Sequence, residues 1–230
     1  MKKINDWYVP DRDQYSGEKP LEARLEMYKA QSDWLKKHIK HTNLYIDIGA
    51  NFGHTIIPFK RLFKKIVGFE ITPDNFQCLI ENTRKSPNVV CYNLGLSNQH
   101  TMVNVLEYKT AGSVNTIQST RLITDSSRNR SPMVVQRPVT TLDLMFPTEI
   151  ASFIKIDVEG HEVEVLKGGR ELISRSQGLL YIETSDKNRE SICSLLGHFG
   201  WKYISRRGKK DLKTGAEVVK KTTDLLFKKR

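Results

Sequence analysis

The stretch YIDIGANFGHT (residues 45–55) is an apolar run that contains one aspartate and then passes into glycines. The apolar residues at its start are typical of a short buried strand. Beyond them Gly49, Asn51 and Gly53 occupy alternate positions, and both glycine and asparagine tolerate the left-handed backbone of a sharp turn. Such a turn lets a ligand touch bare backbone, and a helix following it would present unpaired N–H groups. The stretch therefore predicts a strand and a ligand-binding turn of an α/β protein.

Strands and helices alternate on both sides of this turn. Alternation of this kind favours a parallel sheet that is covered by helices on both faces. The predicted strands are residues 65–70, 88–96, 101–108, 152–158 and 178–184, followed by a closing hairpin of residues 201–207 and 222–229. The predicted helices are residues 20–39, 55–63 (despite Pro58), 72–85 and 190–200, with one more from about Glu162.

The chain has 230 residues, which suits one α/β domain with a small extension. We interpret residues 1–41 as an N-terminal extension with a helix, irregular up to about residue 19, and residues 42–230 as the domain. Residues 111–137 are the least patterned and predict a substrate loop or an irregular insertion. No apolar stretch approaches the roughly 18–20 residues that span a bilayer. We therefore expect a cytoplasmic protein with reduced cysteines and no stable membrane insertion.

Two acids follow the first two strands of the predicted sheet. Asp47 lies at the tip of the first strand, and Glu70 ends the second, twenty-three residues later. The turn lacks the GxGxxG spacing of a dinucleotide site, which disfavours an NAD-linked oxidoreductase. A carboxylate at Asp47 would repel a pyrophosphate but suits a ligand with an ammonium or sulfonium group. Since Glu70 can accept hydrogen bonds from ribose hydroxyls, the pair indicates S-adenosylmethionine.

A second charged stretch, FIKIDVEGHEVEVLKGG, spans residues 153–169. If the strand stays regular, Lys155, Asp157 and Glu159 share one face near the carboxyl edge of the sheet, where ligands of such sheets bind. His161 is either a structural residue at a helix start or a base. It is not half of a metalloprotease HExxH pair, because the second histidine is missing.

These stretches, together with IVGFEITPDNFQCLIENT and LGLSN, resemble the successive blocks of the FkbM-type methyltransferase family. The resemblance runs from about Leu44 to Glu183. It implies a class I, Rossmann-like methyltransferase fold with a mostly parallel seven-stranded sheet, helices on both faces and a C-terminal antiparallel hairpin. Residues 42–230 would then be an S-adenosylmethionine-dependent methyltransferase domain, acting on a hydroxyl of a sugar or other small molecule.

The resemblance also implies which residues bind the cofactor. Glu70 would hold the ribose, and Ile71, which replaces a proline of the family pattern, would pack on the adenine. Leu96 and Ser97 would border the adenine pocket. The methionine end would be wrapped by Asp47, Gly49, Asn51 and Gly53. The full set implied by the resemblance is Asp47, Gly49, Ala50, Asn51, Gly53, Glu70, Ile71, Leu96, Ser97 and Asp157.

The acids of the second stretch carry the predicted chemistry. Methyl transfer is an in-line displacement that chiefly needs alignment, and a hydroxyl acceptor must also lose its proton. Our hypothesis is that Asp157 positions or deprotonates the acceptor, while Glu159 and Glu183 complete an acidic pocket. Lys155 is expected to pair with one of these acids and keep it ionised. The three acids could hold Mg²⁺, but no metal is predicted.

Two other functions stay open at the level of sequence. The net charge is +11, and residues 206–230 hold ten Lys and Arg against three acids, a local charge of 10 − 3 = +7. This basic region, with Arg121, Arg128, Arg130 and Arg137, could follow nucleic-acid phosphates, as in an RNA ribose 2'-O-methyltransferase, although a basic surface can also be merely solubilising. Lys40 and Lys187 fit the lysines of such enzymes only loosely. The other alternative is a non-catalytic S-adenosylmethionine-binding module. The sequence does not indicate an oligomeric state.

Overall fold

A computed structural model describes residues 1–11, 21–107, 116–117, 133–207 and 222–229 of the chain. Its strands form one seven-stranded sheet, one four-stranded sheet and one two-stranded hairpin. The strands are β1 Lys2–Ile4, β2 Trp7–Val9, β3 Leu44–Ile48, β4 Lys65–Phe69, β5 Val89–Tyr92, β6 Gly95–Leu96, β7 Thr101–Glu107, β8 Thr116–Ile117, β9 Met133–Thr140, β10 Phe153–Ile156, β11 Leu179–Ser185, β12 Trp201–Arg207 and β13 Thr222–Lys229. The α-helices are α1 Leu21–Lys36, α2 Pro73–Thr83, α3 Leu142–Met145, α4 Glu162–Lys167, α5 Arg170–Arg175 and α6 Arg189–His198.

The large sheet has the strand order β12-β13-β11-β10-β3-β4-β5. The five strands from β11 to β5 pair in parallel, whereas β13 is antiparallel to both of its neighbours. The predicted parallel sheet and closing antiparallel hairpin are therefore confirmed. The chain moves outward from β3 to β5 and then returns to β10 on the other side of β3. This reversal opens a crevice beyond the carboxyl ends of β3 and β10, the usual ligand site of such sheets.

Alternate side chains of each strand enter two separate hydrophobic clusters. In β3, Ile46 and Ile48 belong to a cluster that also contains buried residues of α4, α5 and α6. Tyr45 belongs to the other cluster, with Leu35 of α1 and Leu79 of α2. The period-two alternation of a strand thus places helices on both faces of the sheet, as predicted.

Two local predictions are wrong before β4. The helix predicted over residues 55–63 is reduced to a 3-10 turn at Ile57–Phe59. Pro58 explains this difference, because proline has no N–H to donate within a helix and its ring obstructs the preceding turn. The N-terminal residues predicted to be irregular form the β1–β2 hairpin, in which Asn5 turns the chain with a φ of 53°. Strands of three residues are too short to show the alternation that would identify them.

The stretch predicted as a single strand over residues 88–96 is split between two sheets. Its first part, β5, is the edge of the large sheet, and β6 begins the four-stranded sheet with order β6-β9-β7-β8. The unpatterned stretch 111–137 contains β8 and the start of β9, and its other residues lie outside the described ones. Strand β7 confirms the extended element predicted over residues 101–108.

The N-terminal residues pack on the sheet-bearing part of the chain. The Asn82 amide donates to the backbone oxygens of Tyr8 and Phe52, at 2.8 and 2.7 Å. The Trp7 ring meets the Phe52 ring edge to face at 5.8 Å. The division at residue 41 stays a prediction. Among the residues described, no helix is both long and apolar enough to cross a membrane.

Candidate active site

The glycine turn adopts the left-handed backbone that its sequence predicts. The φ angles of Gly49, Asn51 and Gly53 are 81°, 52° and 91°. A Cβ on Gly49 would lie 1.8 Å from the backbone oxygen of Asp157, so only glycine lets the loops after β3 and β10 approach this closely.

No α-helix follows the turn, so the predicted row of unpaired helical N–H groups facing a ligand is not formed. The N–H groups of Gly49 and Ala50 both donate to the Phe69 oxygen, at 3.0 and 2.9 Å. The N–H of Asn51 donates to Glu70 Oε2, and that of Gly53 donates to the Ala50 oxygen. The turn is therefore stabilised by β4, and these four amides have protein acceptors.

Asp47 lies beneath the turn, with 0% of its surface exposed. Its Oδ2 accepts hydrogen bonds from the hydroxyls of Tyr45, at 2.7 Å, and Thr55, at 2.5 Å. Its Oδ1 lies 3.7 Å from the ammonium of Lys155. In this structure Asp47 therefore anchors the turn and the lysine. Its contact with the methionine end of a cofactor stays a prediction.

Lys155 is the buried cation of the site. Its Nζ lies 3.0 Å from Asp157 Oδ2, and only 3% of its side chain is exposed. Burial would lower the pKa of Lys155, but the carboxylates of Asp157 and Asp47 outweigh burial and raise it above its ordinary value. Lys155 is therefore charged at neutral pH, and the predicted ion pair with a neighbouring acid is present.

Three acids meet where the loop after β10 lies beside the carboxyl-terminal part of β11. Carboxylate oxygens of Asp157, Glu159 and Glu183 all lie within 4.8 Å of one another. Strand β10 ends at Ile156, and Glu159 has a φ of 55°, so the expected regular strand does not continue to Glu159. The acids meet because the loop turns back toward β11.

Glu183 and Asp157 differ in their protonation. Burial, and then the charges of Asp157 and Glu159, raise the pKa of Glu183 to about 10. Burial alone would also raise the pKa of Asp157, but the Lys155 ammonium holds it below its usual range. At neutral pH Glu183 is therefore a neutral acid that donates a hydrogen bond to the Asp157 carboxylate.

Glu162 supports this acidic loop, a role that the sequence patterns above do not predict. Its Oε1 accepts from the N–H groups of Val158, at 3.3 Å, and Gly160, at 2.9 Å, while its Oε2 accepts from the Asn188 amide at 2.7 Å. Burial raises the pKa of Glu162, although the hydrogen bonds from the backbone N–H groups of Gly160 and Val158 act against the rise. An acid in the first turn of a helix was the available signal, because such acids often accept from nearby amides.

The predicted ribose ligand lies next to the turn. Glu70 is almost fully buried, and it accepts from the N–H of Asn51 at 2.9 Å and from that of Thr72 at 2.8 Å. Ile71 is half-buried, and a Cβ on Gly95 would lie 2.5 Å from its Cδ1. Glu70, Ile71 and the turn thus stand together at the carboxyl edge of β3 and β4.

Leu96 and Ser97, the residues predicted to border the adenine, contact the hydrophobic core and His161. Leu96 is part of the hydrophobic core, and the hydroxyl of Ser97 lies 2.9 Å from His161 Nε2. Burial lowers the pKa of His161, so this imidazole is neutral. The contact favours the structural interpretation of His161, which connects α4 to the loop after β6. The roles of Leu96 and Ser97 at the adenine stay predictions.

His54 is a second buried residue of the site whose position the sequence patterns do not predict. Burial, and then the charge of Lys155, lower its pKa to about 3. Its ring lies 3.8 Å from the Tyr28 ring. The neutral, buried imidazole forms part of the wall between α1 and the turn.

The nucleic-acid hypothesis stays a prediction, and the described residues bear on only part of it. Lys40 precedes β3 and lies at the amino edge of the sheet, whereas Asp157 follows the carboxyl end of β10. The guanidinium of Arg137 pairs with Glu107 at 2.9 Å. Arg121, Arg128 and Arg130 lie outside the described residues.

Comparisons with known proteins agree on the family and the fold. The sequence model of the Methyltransferase FkbM domain matches residues 47–210. Among curated proteins, none matches the sequence.

Three solved structures are similar in fold. A methyltransferase FkbM from Methylobacillus flagellatus KT has 17% identity and a TM-score of 0.55, over 88% of this chain and 50% of that one. The chain thus spans about half the length of that protein. An rRNA methylase from Streptococcus thermophilus has 9% identity and a TM-score of 0.51, over 94% and 99% of the two chains. Precorrin 8w decarboxylase from Methanobacterium thermoautotrophicum has 9% identity and a TM-score of 0.50, over 100% of both. At these identities the likeness shows the fold alone, and it confirms the predicted class I methyltransferase fold.

Proposed function

The chain belongs to the FkbM methyltransferase family, and from this premise we propose that it uses S-adenosylmethionine to methylate a hydroxyl oxygen of a small molecule or glycan. The observation that carries the proposal is the Lys155–Asp157–Glu183 group. It stands at the crevice beside the glycine turn, where parallel sheets bind their ligands.

The residues around the turn fit the proposed cofactor. Two backbone amides fix the Glu70 carboxylate, and a carboxylate offers about four acceptor positions, enough to include ribose hydroxyls. The half-buried Ile71 beside it supplies an apolar surface for a base. The close approach of Gly49 to Asp157 brings the turn directly against the acidic group. When bound, S-adenosylmethionine would supply an electrophilic methyl group and a neutral thioether leaving group.

Asp157 is the residue to which we assign the acceptor hydroxyl. Lys155 keeps it ionised, and Lys155 and Glu183 each make a hydrogen bond to it that restricts its orientation. A carboxylate with a lowered pKa is a weak base for an unreacted alcohol. The hydroxyl proton becomes strongly acidic as the oxygen forms its bond to carbon, so Asp157 can accept that proton late in the transfer.

Glu159 and Glu183 have different tasks in this proposal. Glu183 is neutral and half-buried, so it orients Asp157 and does not act as a base at neutral pH. Glu159 is exposed at the mouth of the site. Its carboxylate suits hydrogen bonds from further hydroxyls of the acceptor, which is a reason to test polyhydroxylated molecules first.

The first experiment measures cofactor binding. Calorimetric titration of S-adenosylmethionine and S-adenosylhomocysteine is expected to give saturable binding to the wild type. Binding should weaken strongly in Glu70→Ala and remain unchanged in Glu171→Ala, which removes an exposed carboxylate of α5. Thermal denaturation of each variant distinguishes lost binding from lost folding. Absence of binding to the folded wild type would remove the cofactor assignment.

The second experiment measures methyl transfer to panels of sugars, other hydroxylated small molecules and RNA, with Mg²⁺ and with a chelator. Asp157→Asn should lower turnover by about 10²–10⁴-fold without abolishing cofactor binding. Asp33→Asn, at a half-exposed position of α1, is the matched control. Unchanged turnover in Asp157→Asn would exclude the role assigned to Asp157. Turnover with RNA and with no other acceptor would show that the acceptor is RNA and not a small molecule or glycan.

A further inference from the structure

A cleft of about 390 Å³ opens at the amino edge of the large sheet. Among the described residues that line it, six carry basic side chains. They are His38, Lys40, His41, Arg175, Lys228 and Lys229. A volume of this size lies within the usual range of small-molecule sites, roughly 300–1,000 Å³.

Three separate parts of the chain bring these basic residues together. Lys40 and His41 lie a few residues before β3, and Arg175 ends α5 shortly before β11. Strand β13 is antiparallel to β11, and its register places Lys228 opposite Leu179, the first residue of β11. The basic end of the chain is therefore folded back onto the amino edge.

Neutral groups, rather than acids, hold the two least exposed cations of the cleft. The Arg175 guanidinium donates to the backbone oxygens of Glu149, at 2.8 Å, and Phe146. The Lys229 ammonium donates to the backbone oxygens of Ser174, at 2.6 Å, and Phe199, at 2.5 Å. These carbonyls fix both side chains in place without neutralising their positive charges, and the Lys229 ammonium also lies 5.6 Å from the centre of the Trp201 ring.

The described part of the chain leaves this charge uncompensated. None of the described residues lining the cleft is an Asp or a Glu, and no described carboxylate forms an ion pair with Lys40, Arg175, Lys228 or Lys229. Burial lowers the pKa of Lys229, as expected for a cation that has no compensating acid. Four cations and two histidines thus converge on one concave surface.

From this convergence we infer that the amino-edge cleft binds the phosphate groups of a small phosphorylated molecule. Arginine and lysine together are the usual donors to phosphate oxygens, and Arg175 is held rigidly by its carbonyl contacts. The exposed Lys40 and Lys228 would close over the anion from either side.

This site is distinct from the proposed methyl-transfer site and does not rest on it. Leu179 lines the cleft, and Glu183 of the acidic group lies four residues further along β11, or about 13 Å at the rise of a strand. The sheet itself therefore separates the two sites, and a ligand in the cleft is a second ligand and not the methyl acceptor.

Titration of the full chain with inorganic pyrophosphate tests this inference. We expect saturable binding with one site per chain, weakened about tenfold or more in both Lys40→Glu and Lys228→Glu, a change of roughly 1.4 kcal/mol. Lys85→Glu makes the same charge change at an exposed position after α2, outside the cleft, and should bind normally. Calorimetric binding of S-adenosylmethionine should be the same in all three variants, which separates this result from the proposed function.

Three outcomes would overturn the inference. The first is no saturable binding of pyrophosphate to the wild type. The second is an equal loss in Lys85→Glu, which would mean that net charge alone attracts the anion. The third is binding to phosphatidylglycerol vesicles, but not to phosphatidylcholine vesicles or to pyrophosphate, which would assign the cleft to a lipid headgroup.

Discussion

Replacement of Lys155 by methionine should destabilise the protein more than almost any other single change at the site. Methionine has nearly the same length but no charge, so the change leaves the carboxylates of Asp47 and Asp157 without their cation. Asp47 is fully buried, and it would retain only the hydroxyls of Tyr45 and Thr55 as donors.

The distances set the size of the expected effect. The two carboxylates lie 3.7 and 3.0 Å from the Lys155 ammonium. At an effective dielectric constant of about 20, each attraction is roughly 4–6 kcal/mol before the cost of burying the charges. Loss of one partner of a buried ion pair typically costs about 3–5 kcal/mol. Since Asp157 is 35% exposed and can be rehydrated, we expect a loss near the lower end of this range.

Urea denaturation at pH 7 measures this loss, and a double-mutant cycle gives its origin. Asp47→Asn added to Lys155→Met should recover part of the lost stability, because it removes the uncompensated buried charge. The difference between Lys155→Met and the wild type should also shrink in acid. The pKa of Asp157 is lowered in the folded state, so its contribution is present above its unfolded pKa and lost as pH falls through its folded pKa. A loss below about 1 kcal/mol at pH 7 would refute the reasoning, because buried ion pairs cost more than this when broken.

Two further predictions concern Glu183 and Asn51. The pKa of Glu183 rises from 4.5 to about 10 on folding, so its stabilising contribution is complete below pH 4.5 and lost as pH rises toward 10. Glutamine at position 183 stays neutral, so the free energy of unfolding of Glu183→Gln, measured by urea denaturation, should rise relative to that of the wild type by at least about 1 kcal/mol between pH 5 and 8. The exposed control Glu171→Gln should show no such trend. A trend of opposite sign in Glu183→Gln would contradict the assignment. Asn51 has a φ of 52°, so Asn51→Ala should lower stability by about 1–2 kcal/mol, while Asn51→Gly should cost less. Equal thermal stability of the alanine and glycine variants would show that the backbone angle is not the cause.

Much of the fold follows from local patterns in the sequence. The glycines and Asn51 specify the turn because few other residues adopt its left-handed angles without strain. The apolar runs of β3, β4, β10 and β11 specify strands buried on both faces, and these imply a parallel sheet. The acids at the ends of those strands indicate a ligand site. Each of these inferences uses residues that are close neighbours in the chain.

The contacts that define the site depend on tertiary structure. Lys155 faces Asp47 because β10 pairs with β3 in that register, although the two residues are 108 positions apart. Glu183 lies near Asp157 because β11 lies on the other side of β10, and Lys228 reaches the amino edge because β13 runs antiparallel. A strand sequence specifies which side chains share a face, but it does not specify the neighbouring strand or its register. Strand order and register therefore decide which charges compensate one another and which protons are shared. Because of them, the acidic pocket predicted from the sequence is in the structure an ionised aspartate between a lysine and a neutral glutamic acid.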